Sequence, residues 1–231
     1  MIPYILKGFT SKLLKKEYLT EDVVLLTFSK PTDFTFKSGQ FVNLEIKTVN
    51  ETRFRAYSIM SQPKNKHLQI VAKLVPGGLA SEKFKVLSVG ESLLIKGPFG
   101  RFFFQEEHID KEQWLLAGGT GVAPFYGMLK TRISKHPTTN FRLVFSVRTQ
   151  KDLFLHQDFK EMAKKNNFTY HPTLTREDWN GKTGRVQKHL PKTVEDKVFY
   201  LCGLKDLVLD TKKVLMDHGV DKNLIIAERY S

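Results

Sequence analysis

Cysteine is all but missing: Cys202 is the one thiol in 231 residues. A disulfide within the chain is therefore excluded, and so are zinc sites and iron–sulfur clusters built from several thiolates. No metal site is expected. The near-absence of cysteine fits a reducing compartment, so a cytoplasmic protein is expected. Long apolar runs are missing as well. No stretch approaches the roughly 18 residues that cross a bilayer, which argues against membrane insertion. The opening segment Met1–Lys7 lacks the apolar core of a secretory signal. Acidic residues are scarce beside basic ones, 24 against 37, and the formal net charge is +13. Such a surface attracts acidic partners and speeds encounter, although a solvated basic surface accounts for it equally well. The lysines are scattered (Lys12, Lys15, Lys16, Lys64, Lys66, Lys164, Lys165) rather than blocked together. With no zinc-finger spacing and no aromatic basic ribonucleoprotein box, a nucleic-acid partner is not expected. Internal repeats and low-complexity segments are also absent.

What the chain does have is phenylalanine, 18 copies, and two contrasting rhythms. Up to about residue 100 the apolar runs are short: Val23–Phe28, Phe41–Ile46, His67–Leu74 and Ser92–Ile95. Turn residues bound them at Ser38-Gly39, Gln62-Pro63, Pro76-Gly77-Gly78 and Gly97-Pro98. One short helix is expected near Leu79–Phe84. This pattern predicts an antiparallel β-barrel or sandwich. From about residue 112 strands alternate with helices. Strands are expected at Trp114–Ala117, Phe141–Val147, Phe168–Leu174, Lys197–Cys202 and Leu224–Ala227. Helices are expected at Pro124–Ile133, about Asp158–Lys165 and Leu204–His218. That alternation predicts an α/β domain with a doubly wound parallel sheet. The polar stretch Gln105–Glu112 marks the boundary, giving domains of 1–108 and 109–231.

Several short motifs carry candidate chemistry. Arg55-Ala56-Tyr57-Ser58 combines a phosphate-gripping guanidinium, a flat ring and a hydroxyl, read here as following a strand pair. Pro76-Gly77-Gly78-Leu79-Ala80-Ser81 is a glycine turn opening a helix, where backbone N–H groups favour an anion. An ordinary capped helix reads the same way. Gly97-Pro98-Phe99-Gly100 reads as a turn ending a strand. Ala117-Gly118-Gly119-Thr120-Gly121-Val122-Ala123-Pro124 lies between strand and helix. Its glycines admit a dinucleotide to the backbone, and Pro124 suits a first helical turn. It is neither the G-x-G-x-x-G fingerprint nor a Walker loop. Cys202-Gly203 ends a later strand, although a free cysteine is most often a small buried hydrophobe. Ligands sit beyond the carboxyl ends of parallel strands, so Gly119-Thr120, Arg148 and Cys202-Gly203 are expected to converge there.

Taken in order, these elements resemble the ferredoxin–NADP reductase superfamily, in a form without a fused iron–sulfur domain. Arg55-x-Tyr57-Ser58 is similar to the family's flavin motif, and Gly78-x-x-Ser81 to its FAD pyrophosphate loop. Gly97-Pro98-x-Gly100 is similar to its strand-end turn, and Gly118-Gly119-Thr120-Gly121-x-x-Pro124 to its nicotinamide-domain loop. Cys202-Gly203 and Glu228-Arg229-Tyr230 match in type and place. The resemblance implies a two-domain enzyme that binds FAD and NADP, with NAD as the alternative, and exchanges electrons with a separate protein. It implies that Arg55, Ala56, Tyr57, Ser58, Gly78, Leu79, Ala80, Ser81, Thr120 and Tyr230 serve FAD. Ser58 would reach the flavin N5 edge, and Tyr230 would cover a flavin face from a tail one residue short of the end. Gly119, Thr120, Gly121, Arg148, Arg176, Arg185, Cys202 and Gly203 would serve the nicotinamide nucleotide. Ser58, Cys202 and Glu228 are the implied catalytic set, without nucleophilic duty, since no base is placed to activate Ser58 or Cys202.

Arg176 and Arg185 resemble positions that bind a 2′-phosphate in NADP-linked bacterial members. No acid follows the Phe141–Val147 strand directly, where a free ribose wants one, although Asp152 is near. NADPH is therefore the expected donor. With the basic surface, an acidic electron carrier such as ferredoxin or flavodoxin is the expected partner. Competing readings are an NADH-dependent reductase component of a multicomponent oxygenase, a non-catalytic FAD-binding regulatory subunit, and a nucleic-acid binder.

Overall fold

A computed structural model describes residues 8–48 and 51–230. The segment Met1–Lys7 and the terminal Ser231, which bear on a leader and a swinging tail, lie outside the described residues. The chain forms two compact units. One takes in residues up to Phe103 together with 126–128, and the other takes in the remainder.

Period-two burial builds the first unit. Strands β1 (Gly8–Tyr18), β2 (Val23–Ser29), β3 (Phe41–Lys47), β4 (Thr52–Ser58), β5 (His67–Lys73) and β6 (Ser92–Phe99) form an antiparallel sheet ordered β4-β3-β6-β1-β2-β5. Past the end of β4 the chain crosses to the far edge: Ile59 bridges Ile70, and Met60 N–H donates to Gln69 O at 2.9 Å. The sheet thus rolls into the expected barrel. Alternate residues fill it: Val24, Leu26 and Phe28 from β2, Val42, Leu44 and Ile46 from β3, Leu68 and Ile70 from β5. Helix α1 (Leu79–Val86) closes over this core with Ala80 and Phe84. Its last turn receives a lysine from β1: Lys16 Nζ donates to Lys85 O (2.7 Å) and Leu87 O (3.2 Å), carbonyls left over at a helix end.

Two expectations need correction, and one strand has no sequence signature. Arg55–Ser58 do not follow a strand pair; they are the second half of β4, an edge strand. The Gly97–Gly100 motif does end β6, but at Phe99, the strand running on through Gly97-Pro98. Strand β1 went unread because only Ser11 and Leu13 are buried on it, and its many lysines mask the alternation.

The second unit is a parallel sheet. Strands β7 (Glu112–Gly118), β8 (Phe141–Val147), β9 (Phe168–Leu174), β10 (Lys182–Thr183), β11 (Lys197–Leu204) and β12 (Ile225–Tyr230) are ordered β10-β9-β8-β7-β11-β12. The chain winds outward from β7 to β10, then returns to lay β11 on the other side of β7. The switch point is therefore the β7/β11 boundary, where a crevice opens at the carboxyl ends. Helices α2 (Ala123–Arg132), α3 (His156–Met162) and α4 (Lys205–Asp217) complete the unit. Val208 and Leu215 of α4 pack with Trp114, Leu116, Val144, Phe199 and Leu201 on one face. Phe159 of α3 packs against Phe145 (6.3 Å) and Tyr170 (5.2 Å) on the other. Neighbouring Val144 and Phe145 point to opposite faces, so the sheet is covered on both, and its strands read as unbroken apolar runs.

Phe84 is 1% exposed and joins α1 to the barrel. Phe84→Ala should lower the unfolding free energy of the first unit by about 3–5 kcal/mol, measured by urea denaturation.

Candidate functional site

In the first unit, register decides what β4 presents. Arg55 pairs with Leu44 and Tyr57 with Val42, so both side chains share the face that carries the core. Tyr57 is half-buried, its ring 5.4 Å from that of Phe84 on α1. Burial pushes its phenol up to about 12, with the Arg55 charge pulling back, so it is neutral at physiological pH. Arg55 is exposed; one guanidinium N–H donates to Phe54 O at 3.2 Å. Ala56 is exposed and Ser58 buried on the opposite face. The Tyr57–Phe84 contact ties this strand to the helix that opens at Gly78. Leu79 and Ala80 send their side chains into the core, and the Ser81 hydroxyl oxygen accepts Val75 N–H at 2.8 Å. What the helix start offers is backbone: Leu79, Ala80 and Ser81 N–H precede the first intrahelical bond, Glu82 N–H to Gly78 O. A guanidinium, helix-start N–H groups and a phenol face suit a ligand that combines phosphate with a flat ring system.

In the second unit, the loop after β7 is built on close approach. A Cβ on Gly121 would sit 2.2 Å from Cys202 O, and one on Gly118 would sit 2.4 Å from Leu207 Cδ1. Glycine is required so that the turn after β7 lies directly on the end of β11, and so that the last residue of β7 fits against Leu207 of α4. Gly119 differs: its φ is +53°, and a Cβ there would meet open space. The loop makes one 3₁₀ turn, Gly119–Val122, and passes into α2 with Pro124 in the first turn. Open backbone before a helix start is a cradle for a nucleotide pyrophosphate, so the residues fit that group.

Cys202 is wholly buried, in register with Ala117 on one side and Glu228 on the other. Burial raises its thiol well above the ordinary value, the Glu228 carboxylate raises it further, and a hydrogen bond with the Tyr230 side chain opposes them. Gly119–Gly121, Cys202, Gly203, Glu228 and Tyr230 are thus gathered at the ends of β7, β11 and β12.

A second group forms at the ends of β8 and β9. The ladder runs past both strands: Thr175 N–H donates to Val147 O (3.0 Å) and Arg176 N–H to Arg148 O (2.9 Å). Gly184 N–H donates to Leu174 O (2.7 Å), which brings Arg185 to the same end. All three arginines are exposed. Arg185 makes a loose pair with Asp210 at 3.5 Å. Asp152 is committed elsewhere, its carboxylate accepting Thr149 N–H (2.9 Å) and Oγ1–H (3.0 Å). Two acids escaped the sequence reading. Asp210 meets Arg185 across 25 residues, and Glu177 meets the Gln150 N–H across 27. Neither contact has a local signature.

The buried thiol generates a test. Native chain near neutral pH should give no reaction with an aromatic disulfide reagent, and one thiol per chain after denaturation, Cys202 being the sole cysteine. A thiol raised by folding adds stability below its unfolded value of about 8.5, and that contribution is lost as pH rises through the folded value.

Residues 10–104 match the model of the oxidoreductase FAD-binding domain, and residues 115–213 that of the oxidoreductase NAD-binding domain. The anthranilate 1,2-dioxygenase electron transfer component of Acinetobacter baylyi is 29% identical over 203 residues, covering 84% of this chain and 58% of that protein. Ferredoxin–NADP reductase B of Sorangium cellulosum is 27% identical over 238 residues, covering 96% and 97% respectively. The crystal structure of a ferredoxin NADP+ reductase from Neisseria gonorrhoeae, with bound FAD and NADP, shares the fold with a TM-score of 0.87 at 24% identity, covering 96% of this chain and 98% of that one. The chain spans little more than half the length of the first curated relatives it matches. A FAD-binding domain followed by a NAD-binding domain, which together span most of the chain, makes it an oxidoreductase of the ferredoxin–NADP reductase superfamily.

Proposed function

We propose that the chain passes electrons between NADPH and a separate acidic carrier protein of the ferredoxin or flavodoxin kind. Residues 1–108 hold FAD and residues 109–231 hold the nicotinamide nucleotide. Bound FAD supplies the exchange between a hydride and single electrons. The chain's own groups bind and orient. Arg55 and the N–H groups of Leu79–Ser81 take the flavin's phosphates; Tyr57, with Ala56 beside it, serves the ring, and Ser58 its N5 edge. Gly119–Gly121 and Gly203 admit the nucleotide's backbone, with Thr120 ordering it. Cys202 and Glu228 flank the nicotinamide. Cys202, buried and neutral, contributes packing and polarity rather than attack. Tyr230 bonds to that thiol and is the proposed cover for the flavin.

One observation carries the choice of NADPH. Arg148 and Arg176 are held side by side at strand ends with Arg185 near, while Asp152, the acid best placed for a free ribose, is locked in a cap. Guanidinium groups favour a 2′-phosphate there. The partner reading rests on the +13 charge, which steers an acidic protein into a short-lived complex. A second reading is an oxygenase reductase component working with NADH; the dioxygenase electron transfer component among the relatives supports its oxygenase part. The sparse, buried cysteine fits a cytoplasmic setting, and no helix among the described residues is long and apolar enough to cross a membrane.

Two measurements test this. The purified chain with FAD should be yellow and bleach on adding NADPH, with kcat/KM for NADPH about tenfold or more above that for NADH, since each charge-assisted contact contributes about 1.5–3 kcal/mol. Preference for NADH would move the assignment to the oxygenase reading. Reduction of an acidic carrier should slow steeply as salt rises past about 0.1 M, where screening shortens to about 10 Å. A rate indifferent to ionic strength would exclude steering by charge.

A further inference from the structure

We propose that Glu177 is a positioning residue: it fixes the loop carrying Arg148 against the loop carrying Arg176, and so sets recognition of the nucleotide's 2′-phosphate. This rests on the NADPH reading above.

Arg148 and Arg176 stand on separate loops, each the first exposed cation past its strand. Backbone pairing holds them at one point, Arg176 N–H to Arg148 O, 2.9 Å. The next link outward is a side chain: one Glu177 carboxylate oxygen accepts Gln150 N–H at 2.6 Å. That N–H opens the one-turn 3₁₀ helix Gln150–Asp152, whose other end is tied back when Asp152 accepts from Thr149. Glu177 therefore grips a stiff turn, and through it the residue two positions before, Arg148. A carboxylate accepting a backbone N–H makes a short, strong bond. Here it also places a negative charge one residue along the chain from Arg176.

This double role predicts opposite behaviour for two substitutions. A bound phosphate dianion benefits from the fixed spacing and suffers from the nearby carboxylate. Glu177→Ala removes both the grip and the charge. Glu177→Gln keeps a carbonyl to accept the Gln150 N–H and removes only the charge.

The test uses the full chain loaded with FAD, titrated with 2′,5′-ADP and with 5′-AMP, followed by steady-state kinetics with NADPH. Glu177→Ala should weaken 2′,5′-ADP about three- to tenfold, the effect of one exposed charge-assisted hydrogen bond, and leave 5′-AMP unmoved. KM for NADPH should rise while kcat stays within about twofold. Glu177→Gln should bind 2′,5′-ADP at least as tightly as the unaltered chain. If the unaltered chain does not distinguish 2′,5′-ADP from 5′-AMP, the NADPH reading itself fails. If it does, and Glu177→Ala binds 2′,5′-ADP as the unaltered chain does, the positioning role is overturned. Equal weakening of both ligands, or a Glu177→Gln chain as impaired as Glu177→Ala, overturns it as well.

Discussion

The turn after β7 lies so close on the end of β11 that no side chain fits at Gly121. Gly121 lies against the carbonyl of Cys202 with no room for a Cβ, and Gly203 turns with φ +155° beside Gly118. This close approach stands at the point where strand order reverses, the one place in a doubly wound sheet where two connections leave in opposite directions. The open backbone at Gly119 and the entry to α2 follow from it. Cys202, at the end of β11, is wholly buried. A dry thiol beside Glu228 stays protonated, so it can line a site without reacting there.

Charge is arranged on the same principle of position over number. Exposed pairs such as Lys15–Glu17 and Lys164–Glu161 contribute little to stability. At the amino ends of the sheet, Glu112 is engaged by Arg142, Lys197 and the Trp114 indole, a set satisfied within the protein. At the carboxyl ends, Arg148 and Arg176 face solvent, held by backbone, with acids nearby that are occupied by N–H groups.

Much of this was legible beforehand. Strands β2, β3, β5, β7, β8 and β9 stood out because burial on one or both faces writes apolar residues into the sequence at a period of two or in a run. Helices α1, α2 and α4 were readable from glycine or proline at their starts. Strands β1 and β4 were not, since β1 turns lysines outward and β4 is an exposed edge with arginine at 53 and 55. Two-residue β10 has no pattern to read. The glycine motifs were visible as motifs; that Gly121 serves packing while Gly119 faces open space was not, because both are simply glycine in the chain.

The amino-acid sequence alone determined the two-unit order, barrel before parallel sheet, and where the glycine turns fall along the chain. It did so because periodicity and turn chemistry are local properties, set by neighbours a few residues away. Tertiary structure alone decided which acids are spent and which cations are presented. Asp152 is consumed by a cap, Glu177 reaches Gln150, and Asp210 reaches Arg185, through contacts fixed by strand order and loop ends. A charge's function depends on what lies within a few ångströms of it, and across 25 or 27 residues only the folded chain sets that distance.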